Sequence, residues 1–307
     1  MAWLRLFHPG GAALALTVVA VLLSFSPASA QWDPNSNAPN AGGISGSRHN
    51  LSMTYLGSNV MDFSRNEYGE VCVYCHTPHG ANSTINAPLW NRTNLGNTYT
   101  LYNVPLMSGQ TPTQPGVNSL TCLSCHDGTL AIDSIINMPS SQSTAYPGNY
   151  LASQETSQNL TFLDSWTPGP GSTGGTHRVL SSSTGNESCL LCHQSSFGFG
   201  PFTVLAIGTD LSDDHPVGVQ LPDTATFDFN APSATTAGMK IYDTNSNGRA
   251  DSNEVRFYNT GEGYEVECAS CHDPHGVPVG GSGGPLIPSF LRVNNSGSAL
   301  CLTCHVK

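Results

Sequence analysis

Charge is scarce in this 307-residue chain. Asp, Glu, Lys and Arg together make up 10% of it, against about 25% in an average soluble domain. Lysine occurs only at Lys240 and Lys307, and 10 basic residues face 21 acidic ones, for a formal net charge of −11. That balance excludes a basic nucleic-acid-binding surface. Large apolar side chains are also few. Beyond residue 30, Leu, Ile, Val and Phe fill 54 of 277 positions, about 19%, the level at which chains usually fail to build a core of their own. A membrane-embedded bundle is excluded for the same reason. Cysteine is absent outside a single repeated motif. What the chain has instead is 32 Gly, 21 Pro and an abundance of Ser, Thr and Asn. Either it is largely disordered, or something other than side chains fills its interior.

The first 30 residues read as an export signal. Met1 to His8 carries Arg5 and no acid, the run from Ala12 to Leu23 is apolar, and Ser26-Pro27-Ala28-Ser29-Ala30 offers small residues for cleavage before Gln31. The apolar run is shorter than the ~18 residues a spanning helix needs. The competing reading is a retained membrane anchor. With no cysteine at the cleavage point, a lipid anchor is not expected. The expectation is a signal peptide over 1–30 and a soluble domain over 31–307 that leaves the cytoplasm, with no membrane span in the mature chain.

All ten cysteines fall in five Cys-x-x-Cys-His motifs: Cys72/Cys75/His76, Cys122/Cys125/His126, Cys189/Cys192/His193, Cys268/Cys271/His272 and Cys301/Cys304/His305. This spacing is the attachment signature of c-type haem. Two thiols add to the porphyrin vinyl groups, and the adjacent histidine becomes the proximal iron ligand. A disulfide framework would not demand histidine at one place five times. Zinc sites draw four ligands from two pairs, or from a pair plus spaced histidines, and immediate Cys-His junctions do not fit that plan. Five covalent haems are therefore expected.

Five histidines remain in the mature chain: His49, His79, His177, His215 and His275. One spare per haem would give every iron an imidazole on both faces. Such saturated iron suits electron transfer rather than catalysis, at low potential because no methionine ligates. Met53, Met61, Met107, Met138 and Met239 are read as packing residues. His79 and His275 each lie three residues after a proximal histidine, in His76-Thr77-Pro78-His79-Gly80 and His272-Asp273-Pro274-His275-Gly276. Neither can reach around a porphyrin to the far side of the same iron. If it ligates, the iron belongs to another haem, and each segment clamps two haems together. Asp214 is a candidate partner to orient His215. Which haem each spare histidine serves is left open by the sequence.

A second motif is Asp243-Thr244-Asn245-Ser246-Asn247-Gly248-Arg249-Ala250-Asp251-Ser252-Asn253-Glu254, which follows the twelve-residue calcium loop. Oxygen ligands would come from Asp243, Asn245, Asn247, the Arg249 carbonyl, Asp251 and bidentate Glu254. Its flanks, 239–242 and 255–258, read as short strands rather than helices. A polar turn without metal is the competing reading. Residues 139–188 and 276–289 read as surface loop, and Asn82-Ser83-Thr84 and Asn91-Arg92-Thr93 as chance triplets. The motif gaps are uneven, so no strict repeat is visible.

Ser47-Arg48-His49-Asn50-Leu51-Ser52, the stretch from Glu70 to Gly80, Ala87-Pro88-Leu89-Trp90-Asn91, the stretch from Ser119 to Gly128 and the last Cys-x-x-Cys-His carry a resemblance. The chain resembles the exported multihaem c-type cytochromes of metal-reducing bacteria, above all the OmcE-like filament-forming outer-surface group and more distantly the OmcS type. The resemblance implies mostly irregular coil with short helices and few strands, wrapped around a stack of five haems. It also implies a head-to-tail homopolymer, with one distal histidine donated between subunits; His49, early in the mature chain, would cap a terminal haem of the next copy. Partners would be copies of the chain, other redox proteins or an extracellular electron acceptor, with no nucleic acid. The expected location is extracellular or cell-surface, with the periplasm as alternative. A soluble monomeric electron shuttle is the runner-up function. A multihaem enzyme with one open iron is the third, and neither lysine follows a cysteine pair as one such enzyme class requires.

Overall fold

The computed structural model describes residues 43–51, 70–85, 87–93, 96–137, 178–180, 188–191 and 205–306. The signal segment, His177, Cys192, His193, Met53, Met61 and Met138 lie outside them. Most of the described chain is turn and irregular coil. Three short α-helices stand out: α1 (Val117–His126), α2 (Cys268–Cys271) and α3 (Ala299–Cys304). Each carries a Cys-x-x-Cys pair. No described helix is long and apolar enough to cross a membrane.

The helices are short because their surroundings stop them. Gly128 (φ +74°) ends the segment after α1, and Ser298 in left-handed conformation (φ +65°) sets where α3 can start. Helix α1 survives for 10 residues because Leu120 and Leu123, three apart, face one apolar cluster. A single carboxylate ties two helix starts together. Glu267 accepts the Gly116 N–H at 3.0 Å and the Ser119 hydroxyl, and forms a capping box with Ser270 at the head of α2. Cys268 N–H in turn donates to Ser119 Oγ at 2.8 Å. Burial pushes Glu267 up to about 7, although its hydrogen bonds oppose the shift.

One antiparallel sheet occupies residues 219–266: β1 (Val219–Gln220), β2 (Ala234–Thr236), β3 (Met239–Ile241), β4 (Arg256–Asn259) and β5 (Tyr264–Val266), in the order β1-β5-β4-β3-β2. Ile241 pairs with Arg256 and Met239 with Tyr258, so the strands expected on either side of the acidic loop are the β3–β4 hairpin. The apolar interior is thin. One cluster joins Val73, Tyr74, Ala131 and Ile135, and another joins Tyr99, Leu123 and Leu211. Two such clusters are small for a chain of this length. They agree with a composition poor in large aliphatics.

Candidate haem-binding sites

The motifs at Cys72, Cys268 and Cys301 share one local shape. The histidine N–H donates to the carbonyl of the first cysteine, His76 to Cys72 at 2.8 Å, His272 to Cys268 at 3.0 Å and His305 to Cys301 at 2.9 Å. This single turn places two thiols and the following imidazole together, as attachment to one porphyrin requires. The nine described cysteines are free thiols.

The structure adds a feature the sequence did not announce. Beside each of these three turns runs a four-residue strap: 88–91, 289–292 and 227–230. The third strap residue forms an antiparallel bridge with the proximal histidine: Trp90 with His76, Leu291 with His272, Phe229 with His305. The fourth, Asn91, Arg292 or Asn230, donates its backbone N–H to the carbonyl of the second cysteine at 2.9, 2.7 and 2.8 Å. Its side chain then donates to the carbonyl just after the first cysteine, on Val73 (2.7 Å), Ala269 (2.9 Å) or Leu302 (3.0 Å). The second strap carbonyl receives the N–H that follows the histidine, with Leu89 accepting from Thr77, Phe290 from Asp273 and Asp228 from Val306. A structural repeat therefore exists where the motif gaps show none. Two straps follow their motif in sequence and one precedes it, and their action is mostly through backbone groups.

Histidine tautomers are set by the same loops. His76 Nδ1 lies 3.0 Å from the Pro88 carbonyl, His126 Nδ1 2.8 Å from Leu205, His272 Nδ1 2.8 Å from Ser289 and His49 Nδ1 2.9 Å from Pro274. A carbonyl only accepts, so each Nδ1 carries the hydrogen and each Nε2 keeps a free lone pair. Burial pushes His49 down to about 4, despite the Pro274 hydrogen bond, and also lowers His126 and His272. These imidazoles are neutral, the form that binds metal. His275 Nδ1 lies 3.1 Å from the Asp273 carboxylate, which raises its pKa and its basicity as a donor.

Two pairs of these rings stand at one spacing. His76 and His275 have ring centroids 6.2 Å apart with planes at 9°, and His49 and His126 have centroids 6.2 Å apart with planes at 77°. A metal–imidazole bond of about 2 Å plus roughly 1 Å from nitrogen to ring centre, taken twice, gives about 6 Å across an octahedral iron. In each pair one ring follows a cysteine pair and the other is a spare. His275 faces the histidine of a different motif from its own, which is the arrangement the three-residue spacing implied.

The surroundings suit a large flat apolar group. Exposed apolar side chains flank the proximal histidines: Leu89 beside Trp90, Leu205 at the His126 acceptor, and Leu302 and Val306 around His305. An open cavity of about 500 Å³ is lined by Gly297, Ser298, Cys301, Leu302 and His305, within the roughly 300–1,000 Å³ of cofactor sites. Trp90, 5.8 Å from the His76 ring, has a buried indole N–H with no partner. These residues fit haem.

The remaining spare histidines are placed differently. His79 is exposed, and His177 lies outside the described residues. His215 Nδ1 lies 3.1 Å from the Pro216 carbonyl, so Asp214 is not its orienting partner: the next residue's own carbonyl is nearer to hand. Asp214 instead accepts the Tyr102 hydroxyl at its carbonyl. His49 is held inside its own chain, stacked on Phe290 at 4.2 Å and hydrogen-bonded to Pro274, which corrects the expectation that it reaches into a neighbouring copy.

The acidic loop closes as the calcium pattern prescribes. Asp243 accepts the N–H of Asn247 (3.2 Å) and Gly248 (2.8 Å), Asn245 Oδ1 that of Asn247 (3.1 Å) and Asn247 Oδ1 that of Arg249 (2.8 Å). Buried Glu254 accepts from Thr244 N (2.7 Å) and Asp251 N (3.1 Å). Asp251 Oδ2 accepts the amides of Asn245 and Asn247, which hold its pKa below the usual value. Among the described residues, no three His, Cys, Asp or Glu side chains gather as a metal cage.

Residues 262–307 match the family model described as a doubled CXXCH motif, which spans the last two motifs. The doubled motif is that of multihaem c-type cytochromes and implies covalent haem c. No curated protein matches the chain.

Proposed function

We propose that this chain is an exported electron-transfer protein that holds five haems, each through the thiols and histidine of one motif. The observation that carries the reading is the 6.2 Å spacing of His76 with His275 and of His49 with His126. On this reading His275 is the distal ligand at the Cys72/Cys75 site and His49 at the Cys122/Cys125 site. His79, His177 and His215 serve the sites of His193, His272 and His305.

Bound haem supplies reversible one-electron chemistry. The chain's own residues do the rest. The strap carbonyls keep Nδ1 protonated and aim Nε2 at the iron, and buried neutral imidazoles occupy both axial positions. That leaves no position for substrate. Because the His272–His275 segment serves two sites, it holds them at close range without any moving part.

The mature protein acts outside the cytoplasm, at the cell surface or beyond, with the periplasm as alternative. Copies join head to tail in a conductive filament of the OmcE-like kind, and the exposed ring of His79, not His49, is the described histidine placed to serve a neighbouring copy. A heterologous contact that does not close yields such a filament. The other reading is a monomeric shuttle, and sedimentation of native material separates the two. Residues 243–254 bind calcium in a structural role that stiffens the β3–β4 hairpin.

Intact mass of the secreted protein is expected to show five haem additions. Electron paramagnetic resonance of the oxidised form is expected to contain two low-spin types, one from near-parallel imidazoles and one from near-perpendicular imidazoles, as the 9° and 77° angles require. A high-spin, five-coordinate majority would refute the reading.

A further inference from the structure

Arg92 is the most deeply buried charged side chain near two of the haem sites. It has no exposed surface. Its Nε donates to Ser124 Oγ at 3.2 Å, and its two terminal nitrogens donate to the carbonyls of Ile132 (2.7 Å), Ser124 (2.9 Å) and Ala131 (2.9 Å). Every one of these partners is uncharged. Asp133, one residue beyond Ile132, is buried nearby but makes no ion pair with Arg92. A guanidinium held only by neutral dipoles keeps its full charge in a medium where charge is poorly screened.

Its position relates it to two sites at once. Ser124 lies inside the Cys122/Cys125 motif, so Arg92 grips that haem turn directly. Its neighbour Asn91 grips the other turn, through the Val73 and Cys75 carbonyls. The Asn91-Arg92 pair is thus a brace between the first two haem turns, with a positive charge at its centre. The Cys75 thiol already registers that charge: burial and the Cys125 thiol push it up to about 12, and Arg92 pulls against them.

The site at Cys268/Cys271 offers an internal contrast. Its arginine, Arg292, also binds a carbonyl inside the motif, that of Ala269, but it is paired with the Asp273 carboxylate at 3.0 Å. One arginine is cancelled and the other is not.

We infer that Arg92 is a positioning and potential-setting residue whose uncompensated charge raises the reduction potentials of the haems at Cys72/Cys75 and Cys122/Cys125 above that of the haem at Cys268/Cys271. A buried cation stabilises the reduced, more negative state of a nearby haem, and burial and local charge are among the means by which a protein sets such potentials. Electrons would then settle on the first two sites. The inference rests on the haem reading above.

The test uses secreted holoprotein whose haem content has been fixed by mass, followed by a spectroelectrochemical titration. R92Q keeps hydrogen-bond donors and loses the charge, R92K keeps the charge, and S124D sets a carboxylate opposite the intact guanidinium. Two of the five haem equivalents should titrate at lower potential in R92Q and S124D, and none should move in R92K. If R92Q does not accumulate as holoprotein, S124D decides alone. Titrations of R92Q or S124D that superimpose on wild type would overturn the inference, as would an R92K shift equal to that of R92Q. Absence of haem in the wild-type protein would instead overturn the haem reading itself.

Discussion

The straps allow one hydrogen-bond pattern to be tested in two environments. Asn91 and Asn230 make the same pair of bonds to their motifs, a backbone N–H to the second cysteine and a side-chain amide to the residue after the first. They differ in burial: Asn91 has no exposed surface, whereas Asn230 is exposed. Asn91→Ala strands the buried Val73 carbonyl and also the Asn137 N–H, which Asn91 Oδ1 accepts at 2.9 Å. Two buried groups left unsatisfied at about 1–3 kcal/mol each, with some relaxation, give roughly 3 kcal/mol. At Asn230 water replaces the lost donor, and the effect should stay near ~0.5–1 kcal/mol. Hydrogen exchange of the holoprotein, read by mass spectrometry, reports opening of each turn separately. The peptide containing Cys72–His76 should exchange on the order of a hundredfold faster in Asn91→Ala. The peptide containing Cys301–His305 should change less than about tenfold in Asn230→Ala. Equal acceleration at both sites would show that burial does not decide the strap's contribution.

Other consequences follow from particular side chains. Gly276 and Gly80 occupy the same place after their histidines, both at positive φ, but a Cβ on Gly276 meets Leu286 Cδ1 at 2.5 Å whereas one on Gly80 meets only the Asn137 amide at 3.1 Å. Gly276→Ala should therefore lower the chemical-denaturation midpoint more than Gly80→Ala, by about 2 kcal/mol or more against about 1. Glu267 holds its proton to about pH 7 in the fold, against an ordinary value of 4.5. As pH rises between those values the unfolded chain ionises and the folded one does not, so stability should fall by roughly 3 kcal/mol and level off above pH 7. Glu267→Gln should flatten that slope, and an unchanged slope would remove Glu267 as its source. Calcium added to metal-free holoprotein should release heat with one site per chain, and Glu254→Gln should abolish it; a flat titration of the wild type would leave residues 243–254 as a polar hairpin.

Much of the site was legible in the sequence because covalent attachment demands fixed residues at fixed spacing. The five motifs, the hairpin strands around 243–254 and the outward reach of His275 to another motif's histidine all follow from local chain geometry. The straps were not legible. Pro88-Leu89-Trp90-Asn91, Ser289-Phe290-Leu291-Arg292 and Phe227-Asp228-Phe229-Asn230 share little beyond an apolar third residue and a donor at the fourth, because their backbone groups do most of the gripping. The partner of His49 was also beyond reach: its contacts with Pro274, Phe290 and His126 join segments far apart in the chain. Arg92 read only as part of a chance triplet, since nothing local marks a buried charge.

The most direct test is a cryo-electron microscopy map of native, haem-loaded protein at a resolution that shows side chains. Iron density should lie between His76 and His275 and between His49 and His126 of the same chain, among five haems in all. Iron at Cys72/Cys75 or Cys122/Cys125 that is open on one face, or ligated by a different histidine, would contradict the account.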